Sequence, residues 1–447
     1  MSADPPRGSF VARIFRDRTI ALVYLTILFL GISYGLALSI AGVFLEERGF
    51  DKPQIGWLVT FFAAGIGALA VPSGSLLSRF GPKRVLVGSL LGYGAAAALF
   101  PLMQSWWGFG VVRFFDGAFS VGVWVSSETI LLARAPKEEK AFFMSVYAIA
   151  LAAGYVIGPI VNRGLVEVAP KTAAFFAAGV LALVASIVVA LFLDAVRSNE
   201  AASGEALGGD AATEASPELG TWQVLRKIRA ACFATFSYGY FQASVAMFLP
   251  LYLIENGMTE EETILIPAFF AGGMLSSVVI AGKLADRHGH LFIMRVLGAV
   301  GTAAILSFVL THEELVVYAL VLVAGASLAA LSPVSLGLQG LVLSPRDLKR
   351  GGGLYNAAYG LGMLIGPPVS GTLFKAVSGD VMVLHFAGLW GAFVVATVLW
   401  QRDDPRRAGR RRAARHRPDA GLLRRRRRAR LLPPHRRAPR WAGAGRR

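Results

Sequence analysis

The chain has 447 residues, of which 55% are hydrophobic and 16% charged, at a mean hydropathy of +0.56. A soluble domain carries about 25% charged residues, so these values exclude an ordinary water-soluble domain and indicate a chain housed in a bilayer. The net charge of +17 does not indicate a nucleic-acid partner, because the nineteen Arg and three Asp from Arg402 onward hold +16 of it, and the single cysteine, Cys232, excludes an intramolecular disulfide.

A crossing needs about 20 mainly apolar residues. That rule predicts helices at 19–45, 53–77, 85–104, 107–133, 141–163 and 171–193, then at 229–254, 263–284, 291–310, 314–342, 353–376 and 381–400. Residues 1–18 are read as a cytoplasmic amino terminus. The first apolar run is long enough to span and lacks a small-residue cleavage site, so it is expected to be the first membrane helix. Two bundles follow, 19–193 and 229–400, joined by a polar cytoplasmic linker at 194–228 that has too few apolar residues for a core. The 401–447 tail, dominated by Arg, Ala, Pro and Gly, is expected to be disordered.

One offset, 208 residues, relates the two bundles. It carries Gly74, Leu76, Arg79 and Gly81 onto Gly282, Leu284, Arg287 and Gly289, and Gly154-x-x-x-Gly158-Pro159 onto Gly362-x-x-x-Gly366-Pro367. It also carries Tyr147 onto Tyr355 and Gly49 onto Gly257. Separate motifs at one spacing identify an internal duplication, and parallel six-helix halves are one build of secondary transporters. The expected fold is an all-α membrane protein of twelve transmembrane helices in two parallel six-helix repeats. With the amino terminus inside, the inner segments before the tail hold twenty Lys and Arg, and the outer ones hold five: Arg48, Lys52, Arg163, Lys171 and Lys375. By the positive-inside rule both termini are expected in the cytoplasm, in a multi-pass protein of the cell (inner) membrane.

Predicted helix 4 carries Arg113 and Asp116, three residues apart and so on one helix face. A charge inside a spanning helix is costly and normally faces a cavity or a partner. A carboxylate beside a permanent cation is pulled two ways: the pair favours its ionised form, and loss of water favours its neutral form. That balance suits proton coupling, while a purely structural ion pair is the alternative. Small residues four apart, Gly154 and Gly158 and again Gly362 and Gly366, let helix backbones approach closely, and Pro159 and Pro367 add bends.

The paired loops Gly74-Ser-Leu-Leu-Ser78-Arg79-Phe-Gly81 and Gly282-Lys-Leu-Ala-Asp286-Arg287-His-Gly289, with Arg113-Phe-Phe-Asp116-Gly117 and the glycine motif of predicted helix 5, resemble the major facilitator superfamily (MFS) over about residues 15–400. They are most similar to its bacterial drug/proton antiporter-like branch. The resemblance implies a cytoplasmic latch built from Gly74, Ser78, Arg79, Gly81, Lys83 and Arg84, and from Gly282, Asp286, Arg287 and Gly289, with the bases pairing to Glu128. The first copy departs from the family pattern, having Ser78 in place of Asp and Pro82 in place of a base. Ser78 keeps a hydroxyl able to cap a helix but lacks the charge.

The same resemblance implies proton coupling at Arg113 and Asp116, and a central cavity lined by helices 1, 4, 7 and 10. Tyr34, Tyr238, Gln242 and Ser332 are its candidate substrate contacts, joined by Tyr355, Asn356 and Tyr359 of helix 11. It further implies a monomer. The expected function is alternating-access secondary active transport of a small solute, as proton-coupled export of amphipathic compounds. Uptake of a small anion or metabolite, or a non-transporting receptor or scaffold, are the alternatives. The expected partners are a small-molecule substrate, protons and the lipid bilayer, with no nucleic acid, no cofactor and no metal. The chain has no Gly-x-x-x-x-Gly-Lys-Ser/Thr loop and no His-Glu-x-x-His, so it is not expected to be an enzyme.

Overall fold

In a bilayer, an apolar run can satisfy its own backbone groups as a helix, and the computed structural model is built of helices. It describes residues 17–70, 72–136, 139–193 and 219–401. The stretch before residue 17, residues 194–218 of the expected linker and the tail from Arg402 lie outside the described residues. The first half comprises α1 (Arg18–Glu47), α2 (Lys52–Ala70), α3 (Pro82–Leu99), α4 (Trp106–Arg134), α5 (Lys140–Val168) and α6 (Thr172–Phe192). The second comprises α7 (Thr221–Glu255), α8 (Ile266–His288), α9 (His290–Ser307), α10 (Glu314–Val342), α11 (Pro345–Ala376) and α12 (Gly379–Leu399). A short helix, Ser73–Phe80, joins α2 to α3, and a π turn, Gly325–Ala329, interrupts α10. Ten of the described helices are long and apolar enough to cross a membrane. The other two, α7 and α11, have 35 and 32 residues and carry more polar side chains.

Several boundaries differ from expectation. Helix α7 begins at Thr221, well inside the expected linker, because Val224 and Ile228 lie one turn apart and bury against Leu343 and Tyr355. Helix α11 begins at Pro345, with Ser344 capping it by accepting from the Asp347 N–H. Both latch elements are helical up to their final glycine: Ser73–Phe80 in one copy, the end of α8 in the other.

The duplication extends to backbone conformation and packing. The positive-φ glycines of the described residues are Gly49, Gly81, Gly257 and Gly289, two pairs at the 208 offset, with φ of 84° and 97° and of 79° and 105°. A side chain at such φ is strained, so glycine holds both sharp corners in both halves. At the first corner the Phe50 N–H reaches back to the Leu45 carbonyl, and the Met258 N–H likewise to that of Leu253. Across the α2–α4 contact Gly65 faces the Phe114 carbonyl and Gly117 that of Phe62. Across α8–α10, Gly273 faces Leu322 and Gly325 faces Phe270, each shifted by the same offset. The Tyr147–Ser127 hydrogen bond (3.0 Å) between α5 and α4 has its counterpart in Tyr355–Ser335 (3.0 Å) between α11 and α10.

The repeated glycine motif works at helix contacts. A Cβ at Gly154 would lie 2.6 Å from the Gly31 Cα on α1, one at Gly158 2.6 Å from the Gly35 Cα, and one at Gly366 2.6 Å from the Tyr240 carbonyl oxygen on α7. At Gly67, by contrast, a Cβ would meet nothing within 4 Å. Gly154→Val and Gly362→Val should therefore each destabilise the bundle by about 1–3 kcal/mol through overpacking. Gly67→Ala should leave stability unchanged or slightly raised. Thermal unfolding of the purified variants measures all three.

Candidate functional site

Between the halves lies a cavity of about 150 Å³. Tyr34, Tyr93, Trp124 and Tyr155 face it from the first half, and Gln242 and Tyr359 from the second. Its charged wall residues are Arg113 and Asp116. The Arg113 Nη1 donates to the Asp116 Oδ2 at 2.7 Å, and the two side chains are 14% and 13% exposed. The guanidinium lies 4.8 Å from the Phe62 ring centre and 5.8 Å from that of Phe100, so aromatic faces support the cation where water is scarce. The Ser120 hydroxyl donates to the Asp116 carbonyl at 2.7 Å, holding that turn of α4.

Three buried polar atoms on this wall have no hydrogen-bond partner: Asp116 Oδ1, Tyr34 Oη and Trp124 Nε1. Buried polar groups are nearly always bonded. An acceptor, a hydroxyl and a donor with unmet hydrogen bonds are thus grouped among residues of one wall. The Tyr34 ring stacks on Tyr155 (5.7 Å, 10° between planes) and meets Tyr93 edge-on at 5.2 Å. These contacts hold its hydroxyl in place.

Of the residues expected in the cavity, Tyr34, Gln242 and Tyr359 lie in its wall, and the Tyr359 hydroxyl donates to Gln242 Oε1 at 2.9 Å. Tyr238 packs behind Tyr359, its ring centre 6.1 Å away, and is not a wall residue. Ser332 and Tyr355 bond to each other at 3.1 Å in a knot between α10 and α11, and Asn356 is exposed. Helix-level reasoning says which helices approach the centre but not which turn faces it. Tyr93, Trp124 and Tyr155 were missed, although Tyr155 stood inside the Gly154–Gly158 motif as a signal.

We call the end where α6 finishes and α7 begins the linker end, and the opposite one the far end. At the linker end, the expected pairing of Glu128 with Arg79, Lys83 or Arg84 is not formed. Among the described residues Glu128 has no cation within 4 Å; Lys83 instead donates to the Leu193 carbonyl (2.6 Å) at the end of α6, and Arg79 rests on the Phe80 ring. Ser78 caps no helix, because its hydroxyl donates back to the Ser75 carbonyl at 2.9 Å. Without the Asp charge, nothing draws this side chain out of its own helix. In the second copy Asp286 approaches His290 at 3.7 Å.

At the far end, ion pairs tie one half to the other. Lys52 joins Glu46 to Glu255 (2.7 Å), Lys171 joins Glu47 to Glu260, and Lys375 meets Asp51 at 2.7 Å. The Thr60 hydroxyl donates to the Leu364 carbonyl at 2.9 Å, and Gly56 lies against the Pro367 carbonyl. At the linker end, a Cβ at Gly67, Gly74, Gly282, Gly352 or Gly353 would meet nothing within 4 Å. At the far end the halves are closed against each other.

Gly31-Ile-Ser33-Tyr-Gly35 spells the Gly-x-Ser-x-Gly pattern of hydrolases, but it lies in the middle of α1. A nucleophile elbow needs a strand-to-helix turn, and Ser33 here donates to the Phe29 and Ala178 carbonyls.

The family model described as Major Facilitator Superfamily matches residues 23–329 and 231–442. An uncharacterized MFS-type transporter of Methanocaldococcus jannaschii is 22% identical over 387 residues, covering 85% of this chain and 96% of that one. Among solved structures, a bacterial homolog of the human lysosomal transporter Spinster, in an inward-facing and occupied conformation, matches with a TM-score of 0.65 at 13% identity, over 89% of this chain and 95% of that one. The nucleoside transporter NupG matches with a TM-score of 0.67 at 15% identity, over 86% and 98%.

The hydrogen bond from Lys375 holds the Asp51 carboxyl below the usual aspartate range. A lowered carboxylate pKa contributes stability above the unfolded value, about 3.9, and loses it as pH falls through the lowered one. Melting curves of wild type and Lys375→Met should differ by less than about 1 kcal/mol at this exposed pair, by a constant amount from about pH 7 to about pH 5. That difference should shrink as pH falls below about 4 and vanish only once the pH is below the lowered pKa of Asp51.

Proposed function

The chain belongs to the Major Facilitator Superfamily, a family of secondary transporters and not of enzymes, and on that footing we propose that it exports small amphipathic compounds in exchange for protons. The observation that carries this reading is the Arg113–Asp116 pair, bonded at 2.7 Å in the wall of an otherwise uncharged, aromatic cavity. With Asp116 ionised, the pair is neutral overall. Protonation of Asp116 cancels the carboxylate and releases Arg113, which changes what the wall can bind. The buried Oδ1, without a partner and belonging to the wall that Tyr34 and Trp124 share, is where a proton would arrive. Each ligand then alters the affinity for the other, and this reciprocity is what coupling requires.

In this reading the linker end faces the cytoplasm, in agreement with the excess of Lys and Arg there. The far-end bridges then make the described conformation inward-facing. Transport requires Lys52, Lys171 and Lys375 to release Glu255, Glu260 and Asp51 while the latch elements close the opposite end. A second reading, uptake of a small anion, draws on the Arg113 guanidinium, which sits against Phe62 and Phe100 and could take an anionic group in place of Asp116.

Internal pH in sealed proteoliposomes, followed while lipophilic cations, anions and sugars are added, tests both. Export by exchange gives solute-dependent proton movement opposite in direction to the solute, and anion uptake gives movement with it. Asp116→Asn should abolish gradient-driven flux while leaving solute counterflow measurable. Unchanged gradient-driven flux in that variant would remove Asp116 as the proton carrier.

A further inference from the structure

A second hollow, of about 390 Å³, is formed by the first half alone, between α2, the Ser73–Phe80 helix, α3 and α4 at the linker end. Leu69, Leu77, Val85 and Phe119 make its walls, and Gly88, Ser89 and Gly122 leave its floor low. Phe80 in its lining and Phe115, stacked on the Phe119 wall ring, are 46% and 49% exposed and continue its apolar rim on the surface. The proposed transport cycle places neither solute nor proton in this hollow.

Three observations give it a polar end. Arg84 lies at its lip, is exposed, and has no carboxylate within 4 Å among the described residues; nor has Arg79, one turn back on the short helix. Arg84 also stands in the first turn of α3, whose Gly81 cap supplies no side chain and whose first turn holds no acid. A cation against the positive end of a helix dipole is unfavourable, and an anion placed there relieves it. Ser126, fully buried in the wall, has a hydroxyl with no partner.

The duplication supplies an internal comparison. At the 208 offset, Arg84, Gly88, Ser89, Gly122 and Ser126 correspond to Phe292, Val296, Leu297, Ala330 and Val334. In the second half every residue that opens this hollow or makes it polar is replaced by a larger or an apolar one. Packing of the common fold therefore does not require the small floor or the cation.

We propose that this hollow binds one anionic phospholipid, with an acyl chain along the Leu69–Phe119 trough and the phosphate against Arg84 at the start of α3. Charge complementarity selects an anionic headgroup, as in other basic pockets between membrane helices. The exposed apolar rim opens the trough to the bilayer, where the chain would enter. The carboxyl ester near the headgroup is the acceptor available to Ser126.

The test is native mass spectrometry of the full chain in detergent, with dioleoyl phosphatidylglycerol as the probe. Dioleoyl phosphatidylcholine and glycerol 3-phosphate serve as controls. Wild type should retain one phosphatidylglycerol in preference to phosphatidylcholine and should bind no glycerol 3-phosphate. Arg84→Gln should weaken retention about fivefold, the effect of one basic residue near a lipid surface. Gly88→Val should abolish it by filling the trough. A Cβ at Gly88 meets nothing within 4 Å, so this variant should fold with an unchanged melting temperature in lipid-free detergent. Equal retention by both variants overturns the proposal. So does equal retention of the two lipids, competition by glycerol 3-phosphate alone, or a dimer that Gly88→Val dissociates, which would assign the hollow to a second copy of the chain.

Discussion

Where α1 crosses α5, Gly31 and Gly35 lie against Gly154 and Gly158, so close that a Cβ at Gly154 would come within 2.6 Å of the α1 backbone. Lipid provides no hydrophobic drive between helices, so association depends on close packing and on polar contacts. Glycine on both sides allows the closest approach. This contact fixes the depth at which α1 sits. Tyr34 lies between its two glycines and Tyr155 between theirs, so the same contact brings the two rings into their stack in the cavity wall. Asn162, further along α5, bonds the Ser39 hydroxyl of α1 at 2.8 Å and extends the seam.

On this repeated frame the chemistry is not repeated. The counterparts of Arg113 and Asp116 at the 208 offset are Val321 and Ala324, both buried and apolar. The second half contributes Gln242 and Tyr359, neutral groups already bonded to each other, while the unpartnered polar atoms of the cavity wall belong to the first half. In the proposed function, a solute between the halves would meet charge on one side and hydrogen-bonding aromatic surface on the other. Its position would be set mainly by the first half.

The two ends of the bundle are held by different forces. Far-end closure depends on charged pairs near water, each individually weak, so they can be exchanged at small cost during a cycle. At the linker end the first loop copy has Ser78 where the second has Asp286, and Lys83 and Arg79 hold a helix end and an aromatic ring. Arg84 faces a hollow instead of Glu128. With no carboxylate beside it among the described residues, Arg84 is free to take up another anion, which connects the altered motif to the proposed lipid site.

The amino-acid sequence by itself determined the class, the count of helices and the duplication. Hydrophobic length and the offset motifs are local properties that survive without coordinates, and the four positive-φ corners at Gly49, Gly81, Gly257 and Gly289 followed the same offset. It also singled out Arg113 and Asp116, because a charge in an apolar run stands out. Tertiary structure alone decided which face each helix turns inward. Tyr34 and Tyr359 reach the cavity while Tyr238 and Tyr355 do not; Tyr93 enters from a helix that carried no motif, and Trp124 from α4 about two turns beyond the Arg113–Asp116 motif. It also decided that Glu128 stands apart from its expected bases and that α7 starts at Thr221. Rotation of a helix about its axis depends on neighbours distant in the chain: a Gly31 that admits Leu151, or a Val224 that buries against Leu343. No local pattern encodes those contacts.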